Sequence, residues 1–209
     1  MSVGEKPVTR EPVEHRLSAP LGEAEVRGLR AGDTVVLDGI VYGLRDATLI
    51  LMFDHEVAPP VDLAGTVVLH TAPNVTRGPD GGWLPLSVGT TTSLRMDRFT
   101  RPLLARHGVR AVIGKGGLSA DSLAAFAEHG GVYLAITGGA AALETVQIEA
   151  IEAVWWEDLM PECLWRFRVR GLGPLIVGMD AQHGDLYADV ATEARRRLAA
   201  IYDKLGVKP

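Results

Sequence analysis

Apolar and polar positions along the chain alternate between short β-rich runs and helix-like runs. From Thr34 onward, TVVLDGIVYG predicts a strand, RDATLILMFDHE a helix and GTVVLHTA a second strand. Turn-forming residues crowd positions 73–85, which predicts a hairpin or an irregular connection. Residues 1–20 mix prolines with charges and predict an extended N-terminal arm, either loose or lying across a partner, ahead of a single domain over 21–209.

The middle of the chain continues this alternation. TSLRMDRFTRPLLARHG predicts a helix that Thr92 or Ser93 caps and Gly108 ends, with a break or a second start at Pro102. RAVIG predicts a short strand, KGGLSADSLAAFAEHGG a glycine-rich turn and a helix capped by Ser119, and VYLAIT a buried strand.

The last third contains three extended pieces, AIEAVWW, LWRFRVR and PLIVGMD, and then an amphipathic helix from 186 to 205. The apolar stripe of that helix recurs at spacings of four, four, three and four residues: Val190, Ala194, Leu198, Ile201 and Leu205. Strands interleaved with helices, together with extended pieces next to one another, predict an α/β fold with a mixed sheet flanked by helices.

Composition narrows the class of protein. With 209 residues, 47% of them hydrophobic and 22% charged, the chain is expected to bury a full core. A formal net charge of -5 disfavours general attraction to nucleic acid, so an anionic ligand must be held by a few local cations. No apolar run approaches the roughly 20 residues of a membrane span, and the N-terminus lacks the apolar centre of a secretory signal, so we expect a cytoplasmic protein.

Cys163 is the only cysteine of the chain. An intrachain disulfide is therefore impossible, and the chain alone cannot build a cysteine cluster for zinc or for iron and sulfur.

Four stretches place charged or hydroxyl groups directly after an apolar strand, where ligands gather in sheet proteins: YGLRDA, VGTTTSLRMD, GKGGLS and MDAQHGDLY. Thr91 and Arg95 are four residues apart at a predicted helix start, which suits an anion. A hydroxyl cap beside a surface arginine is the alternative. Lys115 stands between glycines, which allows close approach of a ligand, although a plain turn lysine has the same pattern.

Other polar residues have ordinary explanations. Arg45 and Asp46 form either part of a site or a surface ion pair. His183 is a candidate general acid or a polar turn residue. The tryptophans from 155 to 165 predict core or interface packing, because no basic tract lies among them.

Taken in order, and joined by MPECLW and GPLIV, the four stretches resemble the β subunit of the class I fumarase and L-tartrate dehydratase family of iron-sulfur hydro-lyases, over about residues 32–187. The resemblance implies a swivelling β/β/α domain. It also implies reversible addition of water to a four-carbon dicarboxylate, with a [4Fe-4S] cluster as Lewis acid. Because the family holds that cluster with three cysteines, the cluster is expected on a separate α subunit, in a dimer of heterodimers.

The resemblance also implies roles for particular residues. Arg45, Arg95 and Lys115 would bind the substrate carboxylates, and Thr91 would be the catalytic base. The supporting residues implied are Asp46, Thr92, Ser93, Asp97, Gly114 and Gly116, with Asp97 orienting an arginine.

Two positions depart from the usual family pattern. Thr90 stands where the family has proline, and Leu49 stands where it has histidine. Two alternatives therefore stay open: a divergent hydro-lyase for a related dicarboxylate, and a non-catalytic dicarboxylate-binding or assembly protein that keeps an α-docking face, with residues 154–165 as the candidate face.

Overall fold

A computed structural model describes residues 10–136 and 145–206. The strands are β1 (Glu14–Ala19), β2 (Thr34–Leu44), β3 (Val67–His70), β4 (Asn74–Arg77), β5 (Trp83–Ser87), β6 (Ala111–Gly114), β7 (Val132–Ala135), β8 (Ile148–Trp155) and β9 (Leu164–Met179). The helices are α1 (Glu23–Gly28), α2 (Asp46–Phe53), α3 (Thr100–His107), α4 (Ala120–His129) and α5 (Leu186–Leu205), with 3₁₀ helices at Ser93–Phe99 and Glu157–Leu159.

The main sheet has seven strands in the order β1-β2-β3-β6-β7-β9-β8. Neighbours from β1 to β7 run parallel, whereas β9 runs antiparallel to β2, β7 and β8. Because β9 pairs with both β7 and β2, the strands β2, β3, β6, β7 and β9 form a closed ring. The predicted fold class, an α/β mixed sheet flanked by helices, is confirmed.

The short parallel strands β3, β6 and β7 bury both of their faces, which explains their continuous apolar runs. Alternate residues of one strand enter two different hydrophobic clusters: Val67 and Leu69 pack inside the ring, whereas Val68 packs outward against the helices. Val112 and Tyr133 face outward in the same way from β6 and β7. The ring is thereby filled on the inside and covered by α2, α3 and α4 on the outside.

Several local predictions hold and others need correction. Residues 73–85 contain the β4-β5 hairpin, Gly108 ends α3 in the left-handed conformation, and α3 makes a second start just before Pro102. The stretch SLRMDRF, however, is a seven-residue 3₁₀ helix, and neither Thr92 nor Ser93 caps it with a side-chain hydrogen bond. LWRFRVR and PLIVGM, which were predicted as separate extended pieces, belong to one 16-residue strand, β9, and Asp180 lies just after it.

The described part of the predicted arm joins the sheet. Residues 14–19 are extended, as predicted, but they form β1 and pair in parallel with β2 instead of hanging loose. Asp33, which is buried, holds this strand through Arg10, the backbone N–H of Val13 and the His15 ring. No helix in the described ranges has the length and apolar content required to traverse a bilayer.

Candidate active site

Three parallel strands bring the candidate residues to one edge of the sheet. Arg45 follows the last residue of β2, His70 ends β3, and Lys115 follows the last residue of β6. Because β3 lies between β2 and β6, these ends are neighbours. Crevices at the carboxyl ends of parallel strands are where ligands bind in sheets of this kind.

Arg45 is held by two carboxylates from different parts of the chain. Its Nε lies 3.0 Å from Asp46 Oδ2 and 3.3 Å from Glu162 Oε1. The same Asp46 oxygen lies 3.3 Å from Arg95 Nη2, so one carboxylate connects two of the predicted substrate-binding arginines. Within the described residues the terminal nitrogens of Arg45 have no partner, which leaves them available to a bound carboxylate.

Thr91 and Lys115 are linked through the backbone. Thr92 and Lys115 form a β-bridge, and the Ser93 N–H donates to the Lys115 carbonyl at 3.1 Å. The Thr91 N–H donates to the His70 carbonyl at 2.9 Å, which attaches the segment to β3. Neither the Thr91 hydroxyl nor the Lys115 ammonium has a hydrogen-bond partner within the described ranges, so both are free to meet a ligand.

A buried hydrogen-bond chain lies beneath this segment. The Tyr133 hydroxyl donates to Ser93 Oγ at 3.0 Å, and Ser93 Oγ lies 3.0 Å from His70 Nδ1. Ser93 Oγ therefore connects the tyrosine hydroxyl to the imidazole, whose Nε2 is buried without a hydrogen-bond partner among the described residues. Burial lowers the pKa of His70 to about 4, although the negative charge of Asp46 acts in the opposite direction and raises it. Burial also raises the pKa of Tyr133.

Two glycines shape the path of the chain here. A Cβ on Gly114 would lie 1.8 Å from Ser93 Oγ, so only glycine allows β6 to approach the serine this closely. Gly116 has a φ of +75°, a left-handed conformation that glycine adopts without strain. Both residues were predicted as supporting residues, and their conformations set the path of the backbone on either side of Lys115.

The predicted role of Asp97, orienting an arginine, needs correction. Its two oxygens accept from the Ser119 N–H at 2.7 Å and the Ser119 hydroxyl at 2.6 Å, and one also accepts from the Ser122 hydroxyl at 2.7 Å. Asp97 therefore fixes the start of α4 against the 3₁₀ helix. The carboxylates that contact Arg45 are those of Asp46 and Glu162.

The structure also places the remaining positions noted in the sequence. Leu49 is a buried core residue of α2, and Thr90 forms a β-bridge with Thr71. His183 lies in a turn with a φ of +67°. Trp165 is fully buried and stacks on Phe167 at a centroid distance of 6.2 Å, which confirms a core role for it.

The described residues do not fit an iron-sulfur cluster. No group of three or more His, Cys, Asp or Glu side chains is arranged there to hold a metal ion. Cys163 is buried in the core, and its thiol lies 3.9 Å from both the Glu157 carbonyl and Met160 Sδ.

Glu162 and His70 were not predicted as site residues. Glu162 belongs to the MPECLW motif, and besides contacting Arg45 it accepts from the Ala47 N–H at 2.8 Å, at the start of α2. The Thr48 hydroxyl donates to its carbonyl. The acid inside that motif was the available signal for Glu162, whereas the pairing of β3 with its neighbours, which places His70, could not be inferred from the chain.

Comparison with known proteins identifies the family of this chain. A family model described as Fumarase C-terminus matches residues 4–190. A putative class I fumarate hydratase of Geobacillus stearothermophilus is 37% identical over 187 residues, which is 88% of this chain but only 35% of that relative's length. The L(+)-tartrate dehydratase subunit beta of Escherichia coli is 34% identical over 83% of this chain and 86% of its own.

A third relative, from Methanocaldococcus jannaschii, is described as a putative L(+)-tartrate dehydratase subunit beta, and it is 33% identical over 85% of this chain and 93% of its own. The matched region contains the ends of β2, β3 and β6 and the whole candidate site. The chain belongs to the Fumarase C-terminus family.

Proposed function

We propose that this chain is the β subunit of an iron-sulfur hydro-lyase that hydrates or dehydrates a four-carbon dicarboxylate, either fumarate and malate or L-tartrate and oxaloacetate. One observation carries the proposal: three separate segments, which carry Arg45, Thr91 with Arg95, and Lys115, meet at one sheet edge. The names of the relatives, tartrate dehydratase subunit beta and fumarate hydratase, support the reaction class.

The charges of the site suit a dicarboxylate. Three cations stand beside two carboxylates, Asp46 and Glu162, which leaves a net positive charge at the edge of a chain whose formal charge is -5. Arg45 is held on its Nε side and presents its terminal nitrogens, an arrangement suited to a two-point contact with a carboxylate. Lys115 adds a compact charge for the second carboxylate.

Thr91 is proposed to take the proton from the carbon next to a carboxylate. A threonine hydroxyl is a very weak base, so this role requires stabilisation of the alkoxide by neighbouring cations. The backbone link between Thr92 and Lys115 keeps the Lys115 turn beside the Thr91 segment, which supports that assignment.

The site is open on one side. The side chain of Arg95 is 55% exposed, and Thr92 and Leu94 beside it are exposed as well. We propose that a cluster-bearing α subunit closes this side, in a dimer of heterodimers. Its [4Fe-4S] cluster would supply the Lewis acid that binds the substrate hydroxyl.

The first test is anaerobic co-expression with an α-type subunit, iron reconstitution and an absorbance assay for double-bond formation or loss with L-malate and each tartrate isomer. We expect turnover of one acid by the complex and none by this chain alone. Turnover by the isolated chain without iron would contradict the proposal. An iron-loaded complex inert to every acid would favour a divergent substrate or the non-catalytic alternative.

Site variants test the assignment within an active complex. We expect Arg95→Ala and Lys115→Ala each to lower kcat/KM by about 10- to 100-fold, because each removes a charge-assisted hydrogen bond to the substrate. Arg170→Ala is the matched control, since Arg170 is 79% exposed and pairs only with Glu149 among the described residues. Unchanged kinetics in both site variants would remove these cations from the site.

A further inference from the structure

Helix α5 projects from the body of the protein with an exposed apolar stripe. Its 20 residues span about 30 Å, and none of them is buried. Val190, Leu198, Ile201 and Leu205 are 61%, 42%, 45% and 68% exposed. Most of the stability of a helix in a protein comes from packing of its apolar face, so contact with another surface would stabilise α5.

The stripe has the spacing of a coiled-coil seam. From the first turn to the last, apolar side chains recur at alternating intervals of four and three residues: Tyr187, Ala191, Ala194, Leu198, Ile201 and Leu205. Val190, which is also exposed, lies on the flank of this series, and Arg195 and Arg197 border the rest of it, so the apolar band is narrower than the broad face of a helix that lies on a membrane. It therefore favours another helix as the occupant.

The charged residues beside the seam indicate which charges a partner helix should carry. Arg195, Arg197 and Lys204 occupy the positions that flank it, whereas Glu193 lies farther round the helix, where it pairs with Arg196 and Arg197. Two copies of α5 packed antiparallel would bring these cations against one another, and a parallel pair would set Arg195 and Arg197 against Val190 and Tyr202, where they gain no ion pair. A partner helix with acidic flanking residues would instead be attracted.

The base of α5 lies beside the candidate active site. The Tyr187 ring packs against Gly117, 3.4 Å from where a Cβ on that glycine would be, and Gly117 is two residues from Lys115. A subunit that covers the open side of the site therefore lies next to the start of the helix. The seam also extends beyond residue 190, where the match to the shared family domain ends.

We infer that α5 is a docking helix for the cluster-bearing subunit. It would pack against a helix of that subunit that has an apolar seam and acidic residues beside the seam. The inference rests on the proposed function for the identity of the partner. It assigns the C-terminal helix a role in assembly that is separate from the residues proposed to act on the substrate.

The test measures the dissociation constant of the reconstituted complex by sedimentation, independently of turnover. Leu198→Glu and Ile201→Glu should each weaken assembly about tenfold or more, because each places a charge in an apolar seam. Arg195→Glu should weaken it less, with the difference fading at high salt. Ala200→Glu, on the opposite face of the same helix, is the control and should bind within about twofold of the parent chain. Circular dichroism checks that each variant folds.

The possible outcomes separate this inference from the proposed function. If Leu198→Glu and Ile201→Glu weaken assembly but the parent complex is inert to every acid, only the proposed function is contradicted. If the complex is active and these two substitutions leave its assembly unchanged, only the docking role is overturned. Failure of the parent chain to bind any cluster-bearing subunit would overturn both. The docking role would also be overturned if the isolated chain formed a dimer, or bound anionic vesicles, in a way that Leu198→Glu abolished.

Discussion

Arg45 shows how a single side chain becomes suited to binding an anion. Two carboxylates contact its Nε, one from the next residue and one from Glu162 more than a hundred positions later, and they limit the orientation of the guanidinium. An arginine already held in place loses less side-chain entropy when a ligand binds. Asp46 and Glu162 therefore matter through Arg45, although neither is proposed to contact the substrate.

His70 should make stability depend on pH in a definite window. The ordinary pKa of histidine is 6.5, and in the folded protein the pKa of His70 is lowered to about 4 because burial disfavours the charged ring. Between those values the unfolded chain binds a proton that the folded protein does not, so stability falls as pH decreases from 6.5 to 4. The loss attributable to His70 should reach about 3 kcal/mol.

His70→Asn provides the comparison, since its side-chain amide can still form a hydrogen bond with Ser93 but does not titrate. We expect urea unfolding to show the difference in stability between the parent and this variant shrinking across the window. Other groups that titrate there, such as His107, are common to both proteins and cancel. Parallel curves for the two proteins would mean that His70 is not buried and neutral in solution.

Gly114 should be intolerant of even a methyl group. The added Cβ of Gly114→Ala would overlap Ser93 Oγ and displace the segment that carries Thr91. We expect a loss of about 1 to 3 kcal/mol in urea unfolding. In the assembled complex, the same variant should lose turnover.

Gly116→Ala is the matched control for this prediction. Its Cβ would meet no atom within 4 Å, and its cost comes only from a φ of +75°, about 1 to 2 kcal/mol. Ser93 should therefore keep its place in that variant, and turnover should fall less than in Gly114→Ala. Equal turnover in the two variants would show that contact with Ser93 does not set the geometry of the site.

At the scale of elements, the sequence predicted the features that depend on neighbouring residues, such as helix caps and the positions of single strands and helices. Ser119 caps α4 as expected, and β2 and α2 lie where a strand and a helix were predicted. The 3₁₀ conformation of residues 93–99 was missed, because Ser93 at its start is held by distant groups: its N–H donates to the Lys115 carbonyl, and its hydroxyl is hydrogen-bonded to the His70 ring. The single strand β9 was missed because GLG between its halves predicts a turn, whereas pairing with β2 continues on both sides of it.

Asp33 should control the attachment of β1. Burial alone would raise its pKa, but hydrogen bonds from Arg10, the Val13 and Arg30 N–H groups and His15 lower it to about 2. The ordinary value is 3.8, so this carboxylate stabilises the fold above pH 3.8, and the contribution is lost as pH falls toward 2. Its size is about 2 kcal/mol.

Asp33→Asn should therefore lose about 2 kcal/mol at neutral pH. Hydrogen exchange of residues 14–19 should accelerate more than exchange in β3 and β6, because Asp33 holds the edge strand to the sheet. Glu14→Gln is the control, since Glu14 is exposed and lies 3.8 Å from Arg16. Uniform acceleration across all strands would indicate global destabilisation instead of local release of β1.

At the scale of the molecule, the sequence suggested candidate site residues, but it could not show how the fold positions them. Arg45, Thr91, Arg95 and Lys115 were identified through a family resemblance, and strand ends were recognised as ligand sites. The sheet order that brings β2, β3 and β6 together depends on pairings between strands distant along the chain. Glu162 illustrates the limit: it reaches Arg45 only because the closed ring lays β9 along β2.

The closed ring predicts that the sheet opens as one unit, and Cys163 can report on this. The thiol is fully buried in the core just before β9, and burial raises its pKa to about 11, so it should react very slowly with iodoacetamide. Because β9 pairs with β2, β7 and β8, exposing the thiol requires those pairings to break.

The free energy obtained from the labelling rate should therefore equal the free energy of global unfolding from urea, once labelling is slow relative to reclosing. Gly114→Ala should lower both free energies by the same amount, although Gly114 is in β6 and does not pair with β9. A labelling free energy well below the urea value, and unchanged in Gly114→Ala, would show that the start of β9 opens locally. In that case the loop carrying Glu162 would move independently of the ring, and the support it gives to Arg45 would be intermittent.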